Sequence, residues 1–234
     1  MLNFIKKIQK NRTREWYVEK LKNGPFLFLY KIKSFIKFYL IKFDLNSKKI
    51  TRINLCSGSI LFDNYCNIDI YWGADLFIDL EKKLLPFSTN SIDVVVCTSA
   101  INYFTRERGE KIIHEVFRIL KPGGIARFST QDLESITSKY VNKDMGFFFQ
   151  KLPNGQERFI GETMCDKLNS WFYGYAVAKN KGCKYFYDFE TLSSIFKKVG
   201  FNKIENKQYL DSKIEDIEKI DNRPDQMFFL EAVK

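Results

Sequence analysis

Histidine is almost absent from this chain. His114 is its only imidazole among 234 residues, which excludes any metal site built on two histidines and leaves few candidates for a general base. His114 stands beside Glu115 in a helical stretch and reads as a surface or packing residue. The five cysteines, Cys56, Cys66, Cys97, Cys165 and Cys183, are odd in number and show no C-x-x-C spacing. Neither a disulfide framework nor a zinc site is indicated, no metal ligand set is expected, and a reducing cytoplasm is the natural setting. Unbroken apolar stretches of about 18 residues are also missing, so no membrane span is expected. Lys6, Lys7 and Lys10 interrupt the N-terminus where a signal peptide would need a continuous apolar stretch.

Acidic residues are in deficit. Thirty-eight Lys and Arg against 28 Asp and Glu give a formal net charge of +10, which suits an anionic partner such as a phosphate-bearing substrate, an acidic membrane surface or nucleic acid. Lys, Ile, Asn and Phe are all abundant, so part of that charge reflects a general compositional bias. The sequence carries no signal of oligomeric state.

Three textures follow one another along the chain. Residues 1–48 are basic and aromatic, broken at Asn23-Gly24-Pro25. Written on a helix, Phe28, Ile32, Phe35, Phe38 or Tyr39, and Phe43 share a broad apolar face, with Lys31, Lys33, Lys37 and Lys42 toward its flanks. Such a helix can lie in a membrane interface, here over residues 26–43 and at the inner face of the cytoplasmic membrane, or it can pack on the protein or on a second copy.

From Lys49 onward, short β-rich runs alternate with turns and helical patterns, the grammar of stacked βα units on a mostly parallel sheet. Strands are expected at Ile50–Leu55, Cys66–Ile70, Ala74–Ile78, Ile92–Cys97 and Ile125–Ser129. A helix is expected over Arg108–Leu120, where apolar residues recur at helical spacing, and Lys121-Pro122-Gly123-Gly124 should stop it. Residues 140–182 read as an irregular insertion of the kind that forms a lid or substrate-binding segment. A helix over Asp188–Val199, closed by Gly200, and strands Phe201–Lys207 and Met227–Val233 end the chain. The connection between those two strands shows no obvious helix, which suggests an antiparallel pair.

Two constellations carry chemistry. In Leu55-Cys56-Ser57-Gly58-Ser59 a strand runs into a turn of small residues, where backbone can approach a ligand at the carboxyl end of the sheet. Asp69 ends the next strand, placed to accept the ribose hydroxyls of a nucleoside-bearing cofactor. It lies eleven positions after Gly58, against roughly 20 in a dinucleotide-binding fold, which counts against NAD. Asp79 ends the third run and can border an adenine ring. Ile70, Leu80 and Thr98, at the ends of the second, third and fourth strands, complete the expected cofactor set.

The runs INLCSGS, NIDI, FIDLEKKLLPFSTNSIDVVVCTSAINYF and EVFRILKPGGIARFSTQDLESI resemble the class I methyltransferases related to the ubiquinone and menaquinone methylases. The tail CKYFYDFETLSSIFKKVGF with DNRPDQMFFLEAVK looks like the branch found in bacterial polysaccharide gene clusters. The resemblance covers Lys49 to Lys234, a methyltransferase-type domain that follows the basic extension 1–48. It implies a doubly wound, Rossmann-like α/β sheet of seven strands with the last antiparallel, S-adenosylmethionine as cofactor, and a sugar of a surface glycan or of its lipid- or nucleotide-linked precursor as acceptor. Three motifs depart from the family's pattern. Cys56 stands where a first glycine is usual, Asn102-Tyr103 where a Glu-His pair is common, and Cys183 where a histidine opens the tail.

Methyl transfer from an already activated donor relies heavily on positioning. Asp132, past the fifth expected strand, and Tyr103, past the fourth, are the residues expected to face the transferred methyl. The departures motivate a competing reading, a repurposed methyltransferase fold acting as a binding or scaffold module. Nucleic-acid methylation is disfavoured because Thr98-Ser99-Ala100-Ile101 replaces the Asn/Asp-Pro-Pro-aromatic run of base-methylating relatives.

Overall fold

The computed structural model describes residues 50–234 except 71–72 and 174–181, and before residue 50 only Leu29, Ile32, Phe35 and Ile36. Seven strands form one sheet: β1 (Arg52–Leu55), β2 (Cys66–Asp69), β3 (Leu76–Phe77), β4 (Ile92–Thr98), β5 (Leu120–Gln131), β6 (Lys203–Lys207) and β7 (Met227–Val233). Their order is β3-β2-β1-β4-β5-β7-β6. The first five pair in parallel. β7 runs antiparallel to both neighbours, with Ile125 opposite Val233 and Lys203 opposite the same residue. The order reverses between β1 and β4, and that switch opens the crevice in which such sheets bind ligands.

The central strands are buried on both faces, which is why β4 reads IDVVVCT with no clean alternation. Ile53, Leu55, Val95 and Cys97 face one core. α1 (Arg106–Ile119) and α5 (Phe189–Val199) pack on that side and on each other. Thr105 caps the first of these helices and Asp188 the second, each accepting from the backbone N–H three residues on. On the opposite face Val94 and Val96 meet Tyr65, Ile214 and Ile220.

Several expectations are corrected in detail. β5 begins at Leu120, directly after α1, because Leu120 pairs with Ile92 before the register shifts and the Pro-Gly-Gly run is carried as an irregularity inside the strand. β3 contracts to Leu76–Phe77. The β1–β2 connection contains only turns, consistent with its short length. A four-residue helix, α6 (Ile217–Ile220), stands in the connection before β7.

The described part of residues 140–182 is more ordered than its sequence suggests. α2 (Leu133–Val141), α3 (Met145–Phe148) and α4 (Met164–Tyr173) enclose a core of Ile136, Phe147, Phe148, Phe159 and Trp171. Buried Lys167 lies over the Phe149 ring, pairs with Glu157 at 2.9 Å and donates to the Phe159 carbonyl. The Trp171 indole N–H donates to Gln226, and Arg158 pairs with Asp225, so both contacts tie the insertion to the residues entering β7.

The basic segment 26–43 falls largely outside the described residues. Leu29, Ile32, Phe35 and Ile36 are helical and exposed, at 58%, 39%, 61% and 52%. Among the described residues no helix is long and apolar enough to cross a membrane.

Candidate cofactor and acceptor site

The carboxyl ends of β1 and β2 carry the first half of the site. Cys56 and Gly58, just past β1, both have φ near +56°, a left-handed conformation that costs Gly58 little and Cys56 more. The Gly58 N–H donates to an Asp69 carboxylate oxygen at 2.8 Å, joining the turn to the acid across eleven positions. A side chain built at Gly58 would meet no atom within 4 Å, so the space above the turn is open. The Ser57 hydroxyl is buried with no hydrogen-bond partner. An open space, an orphaned hydroxyl and a carboxylate at a strand end suit a ribose-bearing cofactor such as S-adenosylmethionine.

The remaining expected cofactor residues are spread over the same strand ends. Leu55 is fully buried beneath the turn, Ser59 is exposed beside it, and Ile70 is exposed just past Asp69. Asp79 accepts from the Glu81 N–H and pairs with Lys82 at 3.5 Å, so its carboxylate is engaged by its own turn, while Leu80 is buried in the core. The Thr98 hydroxyl is directed toward the Ile220 carbonyl, 3.5 Å away, on the side of the sheet facing Val94 and Val96.

The ends of β4 and β5 carry the second half. Tyr103 closes a 3₁₀ turn, Ile101–Tyr103, and is 39% exposed. Asp132 caps α2, accepting from the Glu134 N–H, and is bridged to Tyr187 through the backbone. Burial pushes the Asp132 carboxyl above its ordinary range, against the opposing effect of the Ser135 and Glu134 backbone N–H groups.

Between these residues lies a cluster assembled from distant parts of the chain. Asn102, 1% exposed, donates through Nδ2 to Gln131 Oε1 at 2.5 Å and to Cys183 Sγ at 2.8 Å. Its carbonyl accepts from the Lys184 and Tyr185 N–H groups, and its side-chain Oδ1 is buried without a partner. Asn102 and Cys183, two of the three departures from the family's pattern, therefore touch each other. Burial raises the Cys183 thiol to about 11, so it stays protonated near neutrality. Lys184 pairs with Glu81, and the Leu133 N–H donates to the Tyr187 carbonyl, so residues 183–187 cross the ends of β4 and β5 as a strap. Buried Tyr187, pushed up to about 12 chiefly by burial, lies against Gly109 of α1. A Cβ on Gly109 would come within 2.8 Å of the Tyr187 hydroxyl oxygen, which explains a glycine in the first turns of that helix.

Sequence reasoning singled out Asp69, Gly58, Asp132 and Tyr103, and it marked Asn102 and Cys183 as departures. It did not single out Gln131. A polar residue ending a buried strand, RFSTQ, was the available signal.

Residues 44–128 match the family described as methyltransferase domain. The chain is 28% identical over 132 residues to the ubiquinone/menaquinone biosynthesis C-methyltransferase UbiE of Blochmanniella floridana, an alignment covering 55% of this chain and 46% of that protein. It is also 28% identical over 130 residues to a demethylmenaquinone methyltransferase of Leptospira interrogans, covering 55% and 47%. The matched part thus spans less than half the length of these curated relatives. A crystal structure of a methyltransferase dependent on S-adenosylmethionine from Archaeoglobus fulgidus aligns with 91% of this chain and 100% of its own, at 17% identity and a TM-score of 0.45. In its strand order and over residues 44–128 the chain is similar to the class I S-adenosylmethionine-dependent methyltransferases.

Proposed function

We propose that this protein transfers a methyl group to a hydroxyl oxygen of a sugar in a surface glycan or its lipid- or nucleotide-linked precursor. The observation that carries the reading is the joined turn and acid, Gly58 N–H to Asp69 at 2.8 Å, beneath open space and beside the orphaned Ser57 hydroxyl. S-adenosylmethionine supplies a methyl already activated on a sulfonium, so the chain's task is to hold the donor and orient the acceptor. Asp69 would hold the ribose hydroxyls and the Cys56–Gly58 backbone the methionine end. Asp132, half-buried and with its proton affinity raised, is suited to take the proton from an acceptor hydroxyl.

The glycan assignment rests on resemblance, and the net charge of +10 is compatible with a phosphate-bearing carrier. Stacking on sugar rings draws little from the insertion's buried aromatics, since Phe147, Phe148, Phe159 and Trp171 pack on one another; Tyr173 is exposed. A quinone-ring carbon is the second acceptor reading, favoured by the names of the curated relatives. The exposed apolar side chains Leu29, Ile32, Phe35 and Ile36, in a stretch with four lysines and no acid between Phe26 and Phe43, support peripheral contact with the inner face of the cytoplasmic membrane.

Calorimetric titration of the full chain with S-adenosylhomocysteine, repeated with Asp69→Ala, tests the reading. Micromolar binding that weakens at least about tenfold in the variant supports it. No binding at millimolar ligand by a folded sample overturns it in favour of a repurposed scaffold. Methyl-labelled donor, offered with lipid-linked glycan precursors or with demethylated quinones, separates the two acceptors.

A further inference from the structure

The third departure, Cys56, has a partner. β1 and β4 pair in parallel with Asn54 opposite Val96, so the next step along both strands brings Leu55 level with Cys97. One further residue on β1 places Cys56 diagonally from Cys97, at a Cα separation of roughly 6 Å for adjacent strands. That is inside the range of about 4–7 Å spanned by a disulfide. Both side chains also belong to the same face of the sheet: Cys97 lies in the core shared by Ile53, Leu55 and Val95, and Cys56 packs against that core. Cys97 is fully buried, whereas Cys56 is partly exposed at the mouth of the turn.

We propose that Cys56 and Cys97 are an oxidisable dithiol whose disulfide, formed by a hydroperoxide, distorts the Cys56–Gly58 turn and lowers cofactor affinity. The effect on affinity rests on the cofactor reading above; formation of the bond does not. The Cys56 sulfur attacks a peroxide oxygen, an S–O bond forms as the O–O bond breaks, and for hydrogen peroxide one water leaves with the thiol proton. The Cys97 sulfur then displaces the hydroxyl from the sulfenic sulfur, releasing a second water as the S–S bond forms. Two thiols lose two electrons and one hydrogen peroxide becomes two waters.

The hydrogen bond to Cys97, burial, and the nearby charges of Cys97 and Asp69 hold the Cys56 thiol well above its ordinary range. The thiolate fraction is therefore small and oxidation slow. The consequence for the site is direct, because Cys56 is two residues from Gly58, whose N–H holds Asp69.

The full chain, reduced and then incubated with hydrogen peroxide, is digested under non-reducing conditions and mapped by mass spectrometry. The expected product is a peptide pair joined through Cys56 and Cys97. The expected binding result is a loss of S-adenosylhomocysteine affinity of about tenfold, the scale of one charge-assisted hydrogen bond, reversed by dithiothreitol. Cys97→Ala should bind the ligand before treatment and resist this loss, whereas Cys165→Ser, lacking the exposed thiol, should lose affinity like the parent. Oxidation confined to Cys165, with Cys56 and Cys97 recovered as free thiols, overturns the proposal. So does a Cys56–Cys97 bond that leaves affinity unchanged. Failure of the reduced protein to bind the ligand overturns the cofactor reading instead, and peptide mapping still decides the dithiol.

Discussion

The two halves of the candidate site are held together over different ranges. At the ends of β1 and β2 the tie is local, Gly58 N–H to Asp69, with open space over Gly58 and an unpartnered Ser57 hydroxyl beside it. At the ends of β4 and β5 the ties are long-range, Asn102 to Gln131 and Cys183, and the adjoining segment is held by Trp171 to Gln226 and Lys167 to Glu157. A half built from a strand, a turn and an acid within eleven positions needs little support beyond the sheet. A half whose members stand 81 positions apart, as Asn102 and Cys183 do, needs an independently cored insertion to hold it.

Removing the insertion's core should therefore damage one half and spare the other. Trp171→Ala takes away a fully buried ring that stacks on Phe186 and donates to Gln226. A loss of about 3–5 kcal/mol is expected, read in thermal or denaturant unfolding, with protease cleavage appearing first within residues 144–173. If S-adenosylhomocysteine affinity falls as far as stability does, the halves are not separable. Gly109→Ala tests the same boundary from the scaffold side. Its Cβ would press on the Tyr187 hydroxyl, and overpacking should cost about 1–3 kcal/mol. That outweighs the gain of about 1 kcal/mol that Ala brings to a helix interior, so a net stabilised variant would show that the strap at Tyr187 yields freely.

This contrast also decides what could be read from the sequence. Met227–Val233 and the helix before Lys121 were legible because each is a run with one clear period or one continuous apolar character. Gly58 and Asp69 were legible because their relation is local. The start of β5 was misplaced because Pro122 and two glycines look like a terminator, while the pairing of Leu120 with Ile92 lies outside that run. The insertion looked irregular because its helices are short and its order comes from Phe147, Phe148, Phe159 and Trp171 meeting in space. Arg127 is buried with Asp221 and Glu231, a network that joins β5, the residues after α6 and β7 and leaves no trace in local pattern.

A smaller effect separates holding from binding at the strand ends. Asn102→Ala removes the donor shared by Gln131 and Cys183. Thermal unfolding should report a loss of about 1 kcal/mol, the scale of a lost buried hydrogen bond, since the Cys183 thiol still donates to Gln131 Oε1 at 3.6 Å. S-adenosylhomocysteine affinity should change less than about twofold if Asn102, at the ends of β4 and β5, stands apart from a cofactor held at Gly58 and Asp69. A tenfold loss of affinity would place Asn102 among the cofactor contacts and erase the division.

Asp132 gives the smallest effect on stability, and its sign is informative. Desolvation raises its carboxyl above the ordinary value in the fold. Its neutral form is therefore favoured by folding: the stabilisation is fully present below the unfolded pKa and is lost as pH rises through the higher folded value. At neutral pH the ionised group is a slight burden, screened by solvent to less than about 1 kcal/mol. Asp132→Asn keeps an acceptor for the N-cap of α2 while removing the charge, so it should be slightly more stable than the parent at pH 7 and indistinguishable at pH 3. Methyl transfer should move the other way. If the carboxylate takes the acceptor's proton, turnover in the parent falls as pH drops through a value above the usual carboxyl range, and Asp132→Asn loses both that acid limb and about 10²-fold or more in rate. A variant that gains stability yet keeps its rate and acid limb would make Asp132 only the cap of α2, and the search for a base would turn to Tyr103, exposed at the end of β4.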